Sequence, residues 1–212
     1  MTKYLLLFLI CFLSCISSGK IFSQWILSGN FSGGNVNSIL SAGDKIYAAT
    51  SSQGIFRSDD NGTSWTQINS GLGNFLFVQT LAAKDNYIFA GTSSGGVFYS
   101  TNNGSNWIQS NSGLGQFNIK ALITDSSNVY AGLVFAGIFR STNNGLNWYR
   151  YGLGEGDLLN TLSYNYSDFF VGLVGGIYRS SNNGVNWVIA NNGITNNDIR
   201  KIVQSGSKTY SA

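Results

Sequence analysis

Ser58-Asp59-Asp60-Asn61-Gly62-Thr63-Ser64-Trp65 occurs in this chain in four versions. It returns as Ser100-Thr101-Asn102-Asn103-Gly104-Ser105-Asn106-Trp107, as Ser141-Thr142-Asn143-Asn144-Gly145-Leu146-Asn147-Trp148 and as Ser180-Ser181-Asn182-Asn183-Gly184-Val185-Asn186-Trp187. The four tryptophans stand 42, 41 and 39 residues apart. A period near forty residues marks a repeat architecture, in which each unit buries its faces only against its neighbours.

Each copy lies between two short apolar runs. Gly54-Ile55-Phe56-Arg57, Val97-Phe98-Tyr99, Gly137-Ile138-Phe139-Arg140 and Gly176-Ile177-Tyr178-Arg179 precede the copies, and a second run begins at each Trp. The Asn-Gly pair between them is a strong hairpin signal, because both residues accept φ > 0. Asp60, Asn102, Asn143 and Asn182 can accept backbone N–H bonds and hold the hairpin shut. The Trp is expected to bury its ring against the neighbouring sheet.

Ser-x-Asp-x-Gly-x-x-Trp resembles the Asp-box, or bacterial neuraminidase (BNR) repeat, of sialidases, sortilin-type receptors, some xyloglucan-degrading glycosidases and the photosystem II assembly/stability factor. The resemblance rests on Ser58, Asp60, Gly62 and Trp65; Ser100, Asn102, Gly104 and Trp107; Ser141, Asn143, Gly145 and Trp148; and Ser180, Asn182, Gly184 and Trp187. Only the first copy carries the family's Asp. The resemblance implies a β-propeller with one box per blade, at the turn between the third and outermost strands.

The remaining sequence fits four strands per unit. Val36-Asn37-Ser38-Ile39-Leu40 opens the first unit. Its equivalents are Val78-Gln79-Thr80-Leu81, Ile119-Lys120-Ala121-Leu122, Leu159-Asn160-Thr161-Leu162 and Ile199-Arg200-Lys201-Ile202. A second strand follows at Lys45–Ala49, Tyr87–Gly91, Asn128–Gly132 and Asp168–Gly172. Alternation and β-branched or aromatic enrichment argue strands, and no window holds a helical period. The fold class expected is all-β: a propeller of four-stranded antiparallel blades, with units near 36–77, 78–118, 119–158 and 159–198 and a partial one over 199–212. Trp25-Ile26-Leu27 looks like an outermost strand without its blade, so the chain is expected to be a fragment of a larger propeller.

Residues 1–23 read as a secretory signal, with Lys3 in the basic region and an apolar stretch from Leu5 to Ile16. That leaves 24–212 as the repeat body, secreted or at the cell surface, with no transmembrane span. The alternative is a lipoprotein signal that leaves the chain anchored through Cys15. Both cysteines then fall outside the body, and no disulfide framework is expected. Without Lys3 and Lys20 the chain carries 10 basic and 9 acidic groups. Such a near-neutral body offers no electrostatic footprint for nucleic acid. With no His anywhere, the commonest general base and zinc ligand are missing.

No catalytic constellation stands out. Arg57, Arg140 and Arg179 recur at one repeat position, where Tyr99 also serves, so they belong to the blade template. Asp44, Asp85 and Asp125 likewise share one turn. Glu155 and Asp157 form the best local acidic pair, a candidate for a cation such as calcium, but two carboxylates without a ligand loop read better as a solvated turn. No metal and no cofactor are expected. Strand direction puts the box turns on one face of the ring and the between-blade loops on the other. The second face is expected to display Phe75, Phe77, Phe117, Phe135, Glu155 and Asp157, with the filling of gaps between blades as the equally weighted alternative for the phenylalanines. The function expected is a non-catalytic scaffold that binds extracellular carbohydrate or protein. The resemblance leaves two alternatives, part of a sialidase-like or other glycoside hydrolase and a photosystem II assembly/stability factor-like protein.

Overall fold

In the computed structural model the described residues are 34–153, 156–165, 168–205 and 208–212. The signal segment with Cys15, the Trp25 strand and Glu155 lie outside them. Four antiparallel sheets follow one another along the chain, each in the order of its strands. The first holds β1 (Val36–Ala42), β2 (Lys45–Thr50), β3 (Ile55–Ser58) and β4 (Thr66–Gln67). The second holds β5 (Val78–Lys84), β6 (Tyr87–Thr92), β7 (Val97–Ser100) and β8 (Ile108–Gln109). The third holds β9 (Ile119–Thr124), β10 (Val129–Leu133), β11 (Gly137–Ser141) and β12 (Tyr149–Gly152). The fourth holds β13 (Leu159–Asn165), β14 (Asp168–Leu173), β15 (Gly176–Ser180) and β16 (Val188–Ile189), and a two-stranded sheet of β17 (Ile202–Ser205) and β18 (Lys208–Ser211) follows.

These sheets are the blades of a β-propeller. The first strand of each blade packs on the first strand of the next: β1 on β5, β5 on β9, β9 on β13 and β13 on β17. The apolar core is therefore divided among the blade junctions. Tyr47, Ile55 and Leu72 meet Leu81, Ile88 and Trp107 at the first junction. Phe89, Val97 and Leu114 meet Leu122, Val129 and Trp148 at the second. Tyr130 and Ile138 meet Leu162 and Phe169 at the third, and Phe170 and Ile177 meet Ile199 and Ile202 at the fourth.

Close approach at the junctions explains the small residues of the second strands. A Cβ on Gly91 would collide with Ile119 and Thr80, one on Gly132 with Leu159, and one on Gly172 with Ile199 and Thr161. The inner strand of the following blade occupies that space, so only a bare backbone fits.

The box tryptophans bridge blades. Trp107 is 2 % exposed, and its Nε1–H donates to the Ile68 carbonyl of the preceding blade at 2.7 Å. Trp148 does the same to the Ser110 carbonyl at 2.9 Å. The backbone N–H groups of these two tryptophans donate to the carbonyls of Ser70 and Ser112, each at 2.8 Å. Gly71 and Gly113 follow those serines with φ of +90°, and a Cβ on either would strike the Trp carbonyl. The expectation of a buried indole fails in part at the two other boxes. Trp65 and Trp187 are half-buried. Trp187 donates to Gly184 of its own turn instead of reaching the preceding blade. There the third blade departs from the template: β12 is longer, and Tyr151 fills the junction against Tyr130 and Phe169.

Candidate functional site

Strand direction fixes what each end of the propeller carries. At one end lie the β1–β2 type turns and the boxes. In each box Asn61, Asn103, Asn144 or Asn183 and the Gly after it have positive φ, as the Asn-Gly pairs require. The buried serine accepts from the Gly N–H: Gly62 to Ser58 at 2.7 Å, Gly104 to Ser100 at 2.9 Å, Gly145 to Ser141 and Gly184 to Ser180 at 2.8 Å. Each serine hydroxyl donates onward to Oδ1 of Asp60, Asn102, Asn143 or Asn182. That same oxygen accepts the N–H of Ser64, Asn106, Asn147 or Asn186, at 2.8 to 3.0 Å. Only an acceptor oxygen is needed at this point, which is why Asn replaces Asp in three boxes without altering the turn.

The charged side chains at this end satisfy one another. Arg57 pairs with Asp59 at 2.9 Å and donates to the Asn103 carbonyl of the next box. Hydrogen bonds from Arg57 and Lys45 hold the Asp59 carboxyl below its ordinary pKa. Arg140 lies over the Tyr151 ring, 4.5 Å from its centroid, and Arg179 pairs with Asp168 at 2.8 Å. The three arginines thus have separate partners on separate blades and do not converge on one ligand. Asp44, Asp59, Asp60, Asp85, Asp125 and Asp168 all sit at this box end, away from the opposite mouth of the channel.

At the other end the β2–β3 type loop of each blade meets the segment that leads into the next blade. Gly54 donates to Leu76 O, Gly96 to Phe117 O, Phe135 to Asp157 O and Gly175 to Asn197 O, at 2.9 to 3.2 Å. This brings Phe77, Phe117, Phe135 and Asp157 to one face. The rings of Phe77, Phe117 and Phe135 are 45 %, 46 % and 50 % exposed, and Asp157 is exposed. Phe75 is a correction. Its ring turns inward, 5.9 Å from that of Phe98 and against the bare backbone of Gly95, and joins the core of the first junction. Glu155 lies outside the described residues.

Behind this rim the inner strands surround a cavity of about 380 Å³. That is within the range of small-ligand sites, roughly 300–1,000 Å³. The second residue of every inner strand lines it: Asn37, Gln79, Lys120, Asn160 and, ahead of β17, Arg200. Asn37 Nδ2 donates to Val78 O at 2.8 Å and Gln79 Nε2 to Ile119 O at 3.1 Å, so these amides stitch one blade to the next. Asn160 donates to Asp198, whose carboxylate also takes Arg200 at 3.1 Å. Among the described residues no carboxylate lines the cavity, whereas Lys120, Arg200 and Lys201 do. No group of three or more His, Cys, Asp or Glu side chains among the described residues can hold a metal ion. Nor is any helix among them long and apolar enough to cross a membrane.

Asn69, Asn111 and Asn191 are structural residues that the sequence reading missed. Each accepts from the first residues of the third strand (Ile55, Val97 and Ile177 N–H, at 2.7 to 2.9 Å) and donates to the loop carbonyl of Gln53, Gly95 or Gly175. Their recurrence four residues after each Trp was the available signal; the third blade has Gly152 there.

The geometry has counterparts among solved structures. The Niastella koreensis GH74 enzyme superposes with a TM-score of 0.67 at 19% sequence identity, over 85% of this chain and 33% of that one. YCF48 from Cyanidioschyzon merolae gives 0.64 at 14% identity, over 89% and 69%. YCF48 bound to D1 peptide gives 0.60 at 16% identity, over 84% and 60%. This likeness shows the propeller fold. The chain spans about half or less of the length of several structures it matches. No protein-family model matches the chain, and no curated protein matches it by sequence.

Proposed function

We propose that the chain is a non-catalytic β-propeller scaffold, secreted or held at the cell surface, that binds an extracellular carbohydrate or protein at the phenylalanine-rimmed mouth of its channel. In this reading the four hairpins are Asp-boxes with a purely structural role. The observation that carries it is the contrast between the two ends. Six aspartates are consumed in turns at the box end. The mouth offers three half-exposed phenylalanines around a polar, cation-lined cavity. Exposed aromatic rings beside desolvated polar groups are what binding surfaces use.

Glycoside hydrolysis needs two carboxylates facing one bond. Among the described residues only Asp157 and Asp198 stand at the mouth, and Asp198 is engaged by Arg200 and Asn160. The likeness to GH74 enzymes therefore supports the scaffold without supporting their chemistry. Secretion rests on the Met1–Ser23 signal, with lipid anchoring through Cys15 as the alternative. Incubating the purified full chain with glycan and peptide arrays and a panel of glycosides tests the reading. Retention of a ligand without turnover, weakened in the double variant Phe117→Ser/Phe135→Ser, is expected. Turnover of any glycoside would overturn it.

A further inference from the structure

The inner strands follow a two-residue polar template and abandon it at one junction. The second residue is an amide in three blades, Asn37, Gln79 and Asn160, and each donates toward the following blade. The third residue is Ser38, Thr80 or Thr161, whose hydroxyl accepts the N–H of Leu81, Leu122 or Ile202 in the following blade, at 3.2, 3.2 and 3.4 Å. In the third blade these positions are Lys120 and Ala121. Ala121 has no acceptor to offer Leu162. Lys120 points backward, and its hydrogen bond among the described residues is a long one, 3.5 Å to Gln79 Oε1.

Two contacts between blades are thus given up, and a half-buried lysine is set in a cavity that no described carboxylate lines. A cation whose nearest partner is a neutral amide oxygen leaves its charge unbalanced, and an anionic ligand complements it. Arg200 and Lys201 line the same cavity and add to its positive potential.

We propose that Lys120, at the junction of the third and fourth blades, holds a carboxylate of an acidic peptide that enters the channel mouth. This rests on the mouth being the ligand surface. A peptide is favoured over a glycan by what the cavity has left to offer. Sugar hydroxyls need acceptors as well as donors, whereas the charged groups of this cavity, Lys120, Arg200 and Lys201, are donors only, and the amide oxygen of Gln79 already accepts from Lys120. Exposed phenylalanines on separate loops match the aromatic enrichment of protein interfaces, and the cations behind them complement an acidic partner. Contacts between the Lys120 Nζ ammonium and a carboxylate are charge-assisted.

The test is an array of ten-residue peptides, each Glu- or Asp-containing member paired with its Gln or Asn counterpart, with oligogalacturonate as the glycan arm. The full wild-type chain is compared with Lys120→Gln, the double variant Lys120→Gln/Ala121→Thr, and Phe117→Ser/Phe135→Ser. Wild type is expected to retain acidic members and not their amide counterparts, with affinity falling as salt rises. Lys120→Gln should lose about tenfold, the worth of a charge-assisted hydrogen bond. Lys120→Gln/Ala121→Thr restores the template of the other blades, with Gly132 leaving room for the methyl as Gly91 does for Thr80. It should melt at a higher temperature than wild type and still bind about tenfold more weakly. Equal binding by wild type and Lys120→Gln, with loss only in the phenylalanine variant, sinks the Lys120 site and leaves the mouth reading standing. Retention of oligogalacturonate alone overturns the peptide assignment, and no retention of any acidic peptide overturns the proposal outright.

Discussion

The indole N–H of Trp107 donates to the carbonyl oxygen of Ile68, 2.7 Å away across the first blade junction. The ring is buried, and the bond joins a box to the outer edge of the blade before it. Trp107→Ala and Trp148→Ala should each cost about 3–5 kcal/mol, the usual range for truncating a buried aromatic. Trp187→Ala should cost clearly less, because its ring is half-buried and its N–H is used within its own turn. Urea unfolding of the three variants orders them; an equal loss at all three would contradict the junction role.

That difference among tryptophans marks the limit of what the sequence discloses. The Ser, Gly and Trp of every box were legible, because local turn chemistry demands them at fixed spacing. So were the strands and the small residues of the second strands. The inward turn of Phe75 was not, because its partner Phe98 belongs to the blade that follows it and no local pattern announces the contact. Lys120 was also missed as a site residue. It reads as an ordinary strand position until the inner strands are aligned and its neighbours at the same level are seen to be amides. The cavity exists only once several blades stand around it.

The boxes yield a second prediction. Asn143 Oδ1 accepts from Ser141 and from the Asn147 N–H. Asn143→Asp keeps the acceptor and should leave stability within about 0.5 kcal/mol, the range of mild surface changes. Asn143→Leu removes it and should cost about 1–3 kcal/mol, the penalty for unpaired polar groups. Thermal unfolding distinguishes the pair, and a similar loss in both would show that the turn does not depend on this oxygen.

Tyr47 is fully buried, and its hydroxyl has no hydrogen-bond partner among the described residues. Two of the three equivalent positions carry Phe89 and Phe170, and the third carries Tyr130, whose hydroxyl donates to Asp125, so a bare ring fits where no such acceptor stands. Tyr47→Phe should be neutral or stabilising by about 1 kcal/mol, since removing an unpaired buried polar atom recovers its desolvation cost. A drop in the denaturation midpoint would mean that the hydroxyl has a partner.

Asp125 gives the pH dependence. Burial pushes its carboxyl up, but hydrogen bonds from the Asn128 side chain, the Ser127 N–H, the Tyr130 hydroxyl and the Asn128 N–H outweigh it and hold the pKa below the ordinary value. A group depressed in the folded state stabilises above its unfolded pKa, about 3.9 for Asp. Its contribution is lost as pH falls through the lower, folded value. Asp125→Asn should therefore flatten the acid limb of the stability profile below about pH 4. Unchanged steepness in urea titrations at descending pH would remove Asp125 from the acid response.

The arrangement of the four boxes as successive blades around one channel is tested most directly by a crystal structure of the full chain. The expected result has the Trp107 and Trp148 indoles bonded to the carbonyls of Ile68 and Ser110, with Asn37, Gln79, Lys120 and Asn160 facing a shared cavity. Indoles seated on unrelated elements, or inner strands that do not surround a common channel, would contradict it.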